Sequence, residues 1–482
     1  MLTVALILFP LAISLMLAFG RNEKAIRQFA FAASVTEFVF AAAALVIYRV
    51  SCPCDLLFET GWILPLGVSL KFGMDGISLL LVLLTTFLVP VIILDSFSRN
   101  YRRPGIFYAL ILFTEMALVG VFTAFDGLVF YIFWELALIP AYFICALWGG
   151  DDRIRITFKF FIYTFTGSLF MLVALIWLWF RTPLPHSFDY QWLIAARLTP
   201  AEQAWVFAAF FLAFAIKIPV FPFHTWQPGT YAVAPPAGSM MLAGIMLKMG
   251  LFGMIRWIIP VTPDAMQQYA PYAIALALTG LVYASVIAIR QDDLKRLIAY
   301  SSIAHVGLIT AGIFTLNRYA LEGAVIQMVS HGINITGLFM VAGFIEQRAG
   351  TRRISELGGL AHRAPRLAVV FMIVLLASIA LPLTNGFVGE FLLLLGIFEY
   401  SPAFAAIGGL TVILSAVYML WMYQRTMFGD TNPVTEQVQD LSPAGLAVYI
   451  PLILMIFWIG IIPGIFLETA GHDIMQLLTL IR

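Results

Sequence analysis

Runs of about twenty apolar residues, parted by short polar stretches, repeat from one end of the chain to the other. A run of that length crosses the hydrocarbon core of a bilayer as a helix, and little else can. The pattern predicts an all-α polytopic membrane protein with about fourteen transmembrane helices. They fall near 2–19, 26–48, 74–95, 105–122, 124–147, 157–180, 203–218 with a second half from about 229, 240–258, 268–289, 297–314, 321–346, 368–398, 403–427 and 446–467. No stretch between them is long enough for an independent soluble domain.

Two of these runs are interrupted. Helix 7 ends on Ala215-Ile216-Lys217-Ile218-Pro219-Val220-Phe221-Pro222-Phe223-His224. Proline has no N–H to donate and clashes with the preceding turn, so the helix must break. Inside a membrane such a break survives only where protein or water satisfies the freed backbone groups. Helix 12 is interrupted at Leu381-Pro382-Leu383-Thr384-Asn385-Gly386-Phe387-Val388-Gly389-Glu390. The breaks lie five helices apart, the period of transporters built from inverted repeats that each carry one discontinuous helix. Helices 4–8 and 9–13 are therefore expected to be two inverted five-helix repeats. The chain then divides into 1–103 (helices 1–3), 104–260 (first repeat), 261–428 (second repeat) and 429–482 (helix 14).

Composition supports this reading: of 482 residues, 62% are hydrophobic and 11% charged, which excludes a soluble domain of this length. The net charge of +1 says nothing about partners, but the distribution of charge does. Eighteen of the 27 basic residues fall in loops that follow odd-numbered helices, and seven on the opposite side. The positive-inside rule then puts the odd loops in the cytoplasm and both termini outside. No basic residue precedes the first apolar run, which ends weakly for cleavage at Ala18-Phe19-Gly20, so it reads as a retained helix. Three cysteines, Cys52, Cys54 and Cys145, are too few for an iron–sulfur or zinc site. No metal, cofactor or redox centre is expected in this chain. It shows no phosphate loop, dinucleotide fingerprint or nucleic-acid patch; the bilayer is the evident partner.

Ionisable groups at mid-membrane are costly and mark function. Six lie near the centre of a span or at its break: Glu115 (helix 4), Glu135 (helix 5), Lys217 (helix 7), Lys248 (helix 8), His305 (helix 10) and His331 (helix 11). Glu390 follows the second break. Together they suit a proton relay running parallel to the membrane plane. Burial disfavours a charged lysine and a nearby carboxylate restores it, so moving the carboxylate would change whether the lysine keeps its proton. Glu135 and Lys217 are the expected pair, passing a proton to Lys248 and His331, with Glu390 as the exit group. Thr164, Thr166, Ser168, Ser301 and Ser302 are candidates to hold bridging waters. Each relay residue also has a structural reading. Lys217 and Glu390 would cap half-helices, Lys248 would sit in a fixed ion pair, Glu135 would neutralise a neighbouring helix, and the histidines and Glu115 would be packing groups. Asp75, Asp126 and His224 read as capping or interfacial residues.

Several segments carry a resemblance when taken in order. They are Gly73-Met74-Asp75-Gly76-Ile77-Ser78, Phe133-Trp134-Glu135-Leu136 with Ile139-Pro140, the break from Lys217 to Trp226, Ala243 to Gly250, and Leu297 to Gly307. His331-Gly332, Phe387-Val388-Gly389-Glu390-Phe391 and Tyr418 to Gly429 follow. Over nearly the whole chain this resembles the antiporter-like subunit M of proton-pumping NADH:quinone oxidoreductase (respiratory complex I). The resemblance implies that Glu135 pairs with Lys217, that Lys248 is the central helix 8 lysine, and that Glu390 holds the terminal helix 12 position. An acid there marks subunit M, where sister subunits L and N and the multisubunit sodium/proton antiporters usually carry lysine. It further implies a non-redox translocase subunit in a bacterial inner membrane, with periplasmic termini. Its partners would be other membrane subunits of the complex, including sister antiporter-like ones. Flavin, iron–sulfur clusters and quinone would belong to partner subunits. One segment departs: where the family usually has Leu-Pro-Asp-Ala-His after the break, this chain has Gln227-Pro228-Gly229-Thr230-Tyr231. That removes the titratable groups on which proton uptake through this turn would rest. The alternatives are a subunit of a multisubunit sodium/proton antiporter or membrane-bound hydrogenase, or a structural spacer with fixed ion pairs.

Overall fold

The computed structural model describes residues 1–50 and 53–481. Cys52 lies outside them, as does the side chain of Cys54; Cys145 is buried and free. The apolar runs fold as helix: α1 Leu2–Ala18, α2 Glu23–Val50, α3 Gly76–Ser96, α4 Pro104–Thr123, α5 Gly127–Trp148 and α6 Arg153–Arg181. The seventh is split into α7a Pro200–Lys217 and α7b Gln227–Val233. Then come α8 Pro236–Val261, α9 Pro263–Ile289, α10 Leu294–Phe314 and α11 Arg318–Ala349. The twelfth is split into α12a Pro365–Ser378 and α12b Asn385–Tyr400, followed by α13 Pro402–Met427, α14 Pro443–Ile461 and α15 Gly464–Leu480. Eleven of the described helices are singly long and apolar enough to cross a membrane. Neither α1, with 17 residues, nor either piece of the two broken helices is among them.

Local chemistry sets the helix starts. Asp75 accepts the Ser78 N–H at the start of α3, and Asp126 accepts the Leu128 and Val129 N–H groups at the start of α5. Both are therefore caps, each satisfying donors that the first turn leaves without a partner. The arrangement has a centre: α8 is buried along its whole apolar length, and α10 and α11 nearly so, while α2, α13 and α14 turn most of theirs outward.

Two elements differ from the sequence reading. An antiparallel hairpin, β1 Phe58–Ile63 and β2 Val68–Phe72, precedes α3 and pairs Phe58 with Phe72. Lys71 on β2 pins it with ion pairs to Asp189 at 2.5 Å and Glu59 at 3.5 Å. The last apolar run does not continue to 467. The chain turns at Ile462-Pro463, because proline cannot extend the ladder of α14, and α15 begins. Its buried stripe (Thr469, Ala470, Ile474, Leu477 and Leu478) lies across the start of α3. There Asp473 accepts the Gly76 N–H at 2.5 Å and the Tyr48 hydroxyl at 3.1 Å. Gly76 is required at this crossing, since a Cβ would stand 1.7 Å from the Thr469 carbonyl oxygen.

Candidate functional site

The break in α7 leaves its carbonyls to the protein. The Val220 N–H reaches back to Ala215 O at 2.9 Å, and the Trp226 indole N–H donates to Ile216 O at 2.9 Å. Trp226, rather than Lys217, thus provides the side-chain cap. The Lys217 ammonium is buried instead, 5.5 Å from the centre of the Trp134 ring, where the face of the indole favours a cation. The α7a C-terminus, with its exposed carbonyl dipoles, favours it too. Gly250 on α8 makes room for this bend: a Cβ there would stand 2.3 Å from Ile218 Cγ2 and 3.5 Å from Lys217 Cβ. Glu135 on α5 is half-buried and faces Ser168 and Lys217, but no direct ion pair joins it to the lysine. Its Oε1 is buried without a partner.

On α8 the regular ladder loosens into two π-helical turns, Leu242–Met246 and Met254–Ile258. Such turns redirect backbone groups and often mark working sites. Lys248 lies between them, fully buried, and donates to Ala243 O at 2.7 Å. Its Nζ also lies 2.9 Å from His331 Nδ1 on α11. Two glycines allow this contact. A Cβ on Gly332 would be 2.8 Å from Gly244 O, and one on Gly244 would be 2.5 Å from Thr336 Oγ1. The backbones of α8 and α11 therefore approach closely at Gly332, where a Cβ would meet backbone, as small residues permit in membranes.

The line continues. The rings of His331 and His305 have centroids 6.3 Å apart, and His305 Nδ1 meets Glu390 Oε1 at 2.9 Å. Gln327 donates to the same oxygen at 3.4 Å. An ammonium can only donate and an ionised carboxylate can only accept. With Lys248 charged, His331 Nδ1 accepts and a neutral ring carries its proton on Nε2. With Glu390 ionised, His305 Nδ1 donates and a neutral ring leaves Nε2 as an acceptor. Both Nε2 atoms are buried and have no partner. Four helices thus contribute one polar line: Lys248 (α8), His331 (α11), His305 (α10) and Glu390 (α12b). Glu390 lies well inside α12b, whose N-cap is Thr384, so it is not a helix cap.

Other expected residues stand apart from that line. Glu115 on α4 is fully buried, and the charged group facing it is Glu37 of α2. Thr166 is on the outer surface, while the Thr164 and Ser168 hydroxyls donate to their own helix at Phe160 O and Phe165 O. Ser301 accepts from Tyr418 at 3.3 Å, and Ser302 Oγ is buried and unpartnered. His224 packs beside Phe221 and Tyr283. Sequence reasoning missed Gln327 and Glu37. Glu37 had a signal: it sits mid-helix in a buried stripe of small residues, Ala30, Ala33, Ser34, Ala41 and Ala44.

A polytopic bundle with two broken helices and a buried line of lysine, histidine and glutamate defines an antiporter-like membrane subunit. Residues 124–415 match the family described as NADH:quinone oxidoreductase/Mrp antiporter, TM. The chain is 39% identical over 471 residues to NADH-quinone oxidoreductase subunit M of Rickettsia prowazekii (strain Madrid E), covering 96% of this chain and 95% of that one. It superposes with a TM-score of 0.92 and 31% identity on a chain of respiratory complex I from Thermus thermophilus with bound NADH, covering 100% of both. A chain of the Mrp complex from Dietzia sp. DQ12-45-1b shares the fold, with a TM-score of 0.88 at 20% identity over 99% of this chain and 98% of that one. The chain belongs to the subunit M family of NADH-quinone oxidoreductase.

Proposed function

We propose that this chain is a proton-translocating membrane subunit of an NADH:quinone oxidoreductase, and that protons cross it along Glu135, Lys217, Lys248, His331, His305 and Glu390. The observation that carries this is the Lys248–His331–His305–Glu390 line, whose two end contacts are 2.9 Å. Its donors and acceptors all point one way. A proton leaving Lys248 enters His331 at Nδ1, as the proton on Nε2 departs. His305 takes that proton at Nε2 and gives its own from Nδ1 to Glu390. The ring-to-ring step, between centroids 6.3 Å apart, would pass through a bridging water. Glu135 acts at the other end. It faces Lys217 without an ion pair, so a small shift of α5 would make or break the contact that decides whether Lys217 holds its proton. Glu115 is left out of this path.

Energy would come from quinone reduction in partner subunits, which hold the flavin and iron–sulfur clusters, and would reach this chain through neighbouring membrane subunits. In this reading α4–α8 and α9–α13 are inverted repeats, the odd loops face the cytoplasm, and both termini are periplasmic. The test is Lys217→Ala in the assembled complex. Loss of proton pumping with the complex intact supports the relay; normal pumping refutes it. The double variant Glu135→Gln with Lys217→Met separates a relay from a spacer, since a spacer would keep its function.

A further inference from the structure

Outside the relay, α2 and α4 pack together and bring two glutamates to mid-membrane. Glu37 lies fourteen residues beyond the start of α2, about 21 Å at 1.5 Å per residue, and Glu115 lies eleven beyond the start of α4, about 16 Å. Neither is exposed at all, and all four carboxyl oxygens are buried without a partner. The hydroxyls nearest in sequence are committed elsewhere: Ser34 donates to Phe31 O and Thr114 to Leu110 O, each within its own helix. Across the α2–α4 contact Glu37 is close enough to act on Glu115, and among the described residues no third charged group acts on either.

Two bare carboxylates cannot both be charged here. Each would lose its hydration with no N–H or O–H in return, and the two would repel in a medium of low dielectric. One proton ends the repulsion and gives the remaining carboxylate a donor, as in carboxyl pairs that share a proton. We propose that Glu37 and Glu115 form a second proton-binding site, holding one proton between two carboxyl groups, separate from the Lys248–Glu390 line. Its position on α2 and α4 places this stored proton inside the membrane beside α1 and α3.

Infrared spectroscopy of the purified, intact complex at neutral pH tests this directly, and reads protonation whether or not the relay reading holds. Native protein is compared with Glu37→Gln, Glu115→Gln and the double variant. If the proton is shared, each single variant displaces the same protonated-carboxyl band, because the remaining acid keeps the proton in altered surroundings. The double variant then removes that band. Spectra that match native protein in this region would overturn the proposal. So would single variants that each delete a separate band and leave the other unmoved. Should a buried amide prevent assembly, Glu37→Met and Glu115→Met repeat the comparison with no polar group introduced.

Discussion

At the residue scale the site depends on which atom of each side chain can give a proton and which can take one. Lys248 is the strict case: the Ala243 carbonyl and His331 Nδ1 both rely on it as donor. Lys248→Met keeps an unbranched side chain one atom shorter and removes the proton. Pumping by the assembled complex should fall about tenfold or more, a barrier increase of at least about 1.4 kcal/mol. Proton uptake per NADH oxidised in sealed vesicles measures it. A second prediction concerns Asp126, at the membrane edge. Three backbone N–H groups hold its carboxylate, from Ser69, Leu128 and Val129, yet burial dominates and pushes the carboxyl up from 3.8 to about 6. A folded value above the free one means a stabilising contribution fully present below about pH 4 and lost as pH rises through about 6. Asp126→Asn caps a helix about as well and carries no charge. Thermal unfolding should show the variant gaining on native protein between pH 5 and pH 8, by about 1–3 kcal/mol. Much of this scale was legible beforehand, because a lone charge in an apolar run is conspicuous. Glu37 was just as conspicuous and was overlooked. What sequence cannot supply is partnership: nothing along the chain sets Glu115 beside Glu37, 78 positions earlier, rather than beside the relay.

At the element scale the site exists because helices come closer than ordinary side chains allow. The contact of α8 with α11 depends on Gly244 and Gly332, and it sets the 2.9 Å between Lys248 and His331. Gly332→Ala would put a methyl group 2.8 Å from Gly244 O and 2.8 Å from Leu84 Cδ2. The leucine can turn away but the backbone oxygen cannot, so the helices must part. Overpacking of this kind costs about 1–3 kcal/mol. The complex should assemble with a lowered unfolding temperature and reduced pumping, although no titratable group has changed. Unaltered pumping would mean that the lysine–histidine contact tolerates separation. Both helix breaks could be read from their prolines. The π-helical turns of α8 could not, since each adds one residue to a turn and leaves the hydrophobic period almost untouched. The β1–β2 hairpin escaped notice because its strands are five and six residues long, far below the window that finds membrane helices. The helix α15 was hidden for another reason: its apolar stripe abuts that of α14, and the two merge in any average that passes over Pro463.

At the scale of the whole molecule, the charge distribution makes a claim that the arrangement of helices alone cannot. The bundle has two ends. One gathers the hairpin, α15 and the starts of α3 and α5; the other gathers Arg27, Arg99, Arg153 and Arg352. Several arginines at this second end already cap backbone carbonyls there, as Arg27 does at Phe97 and Arg99, and Arg352 at Ala232. They serve packing as well as topology, so their number is not by itself proof of orientation. The excess is nevertheless large, eighteen basic residues against seven. Basic residues in short loops resist translocation, whatever else they do once folded. The hairpin end should therefore face the periplasm. Alkaline phosphatase fused to the C-terminus should be active and a fluorescent protein fused there dark, with the reverse for fusions in the loop between α5 and α6. The buried contacts from Lys248 to Glu390 would be the same in either insertion. A bright C-terminal fluorescent protein would put the hairpin end in the cytoplasm and overturn the charge argument, while the buried contacts of the relay stayed as they are.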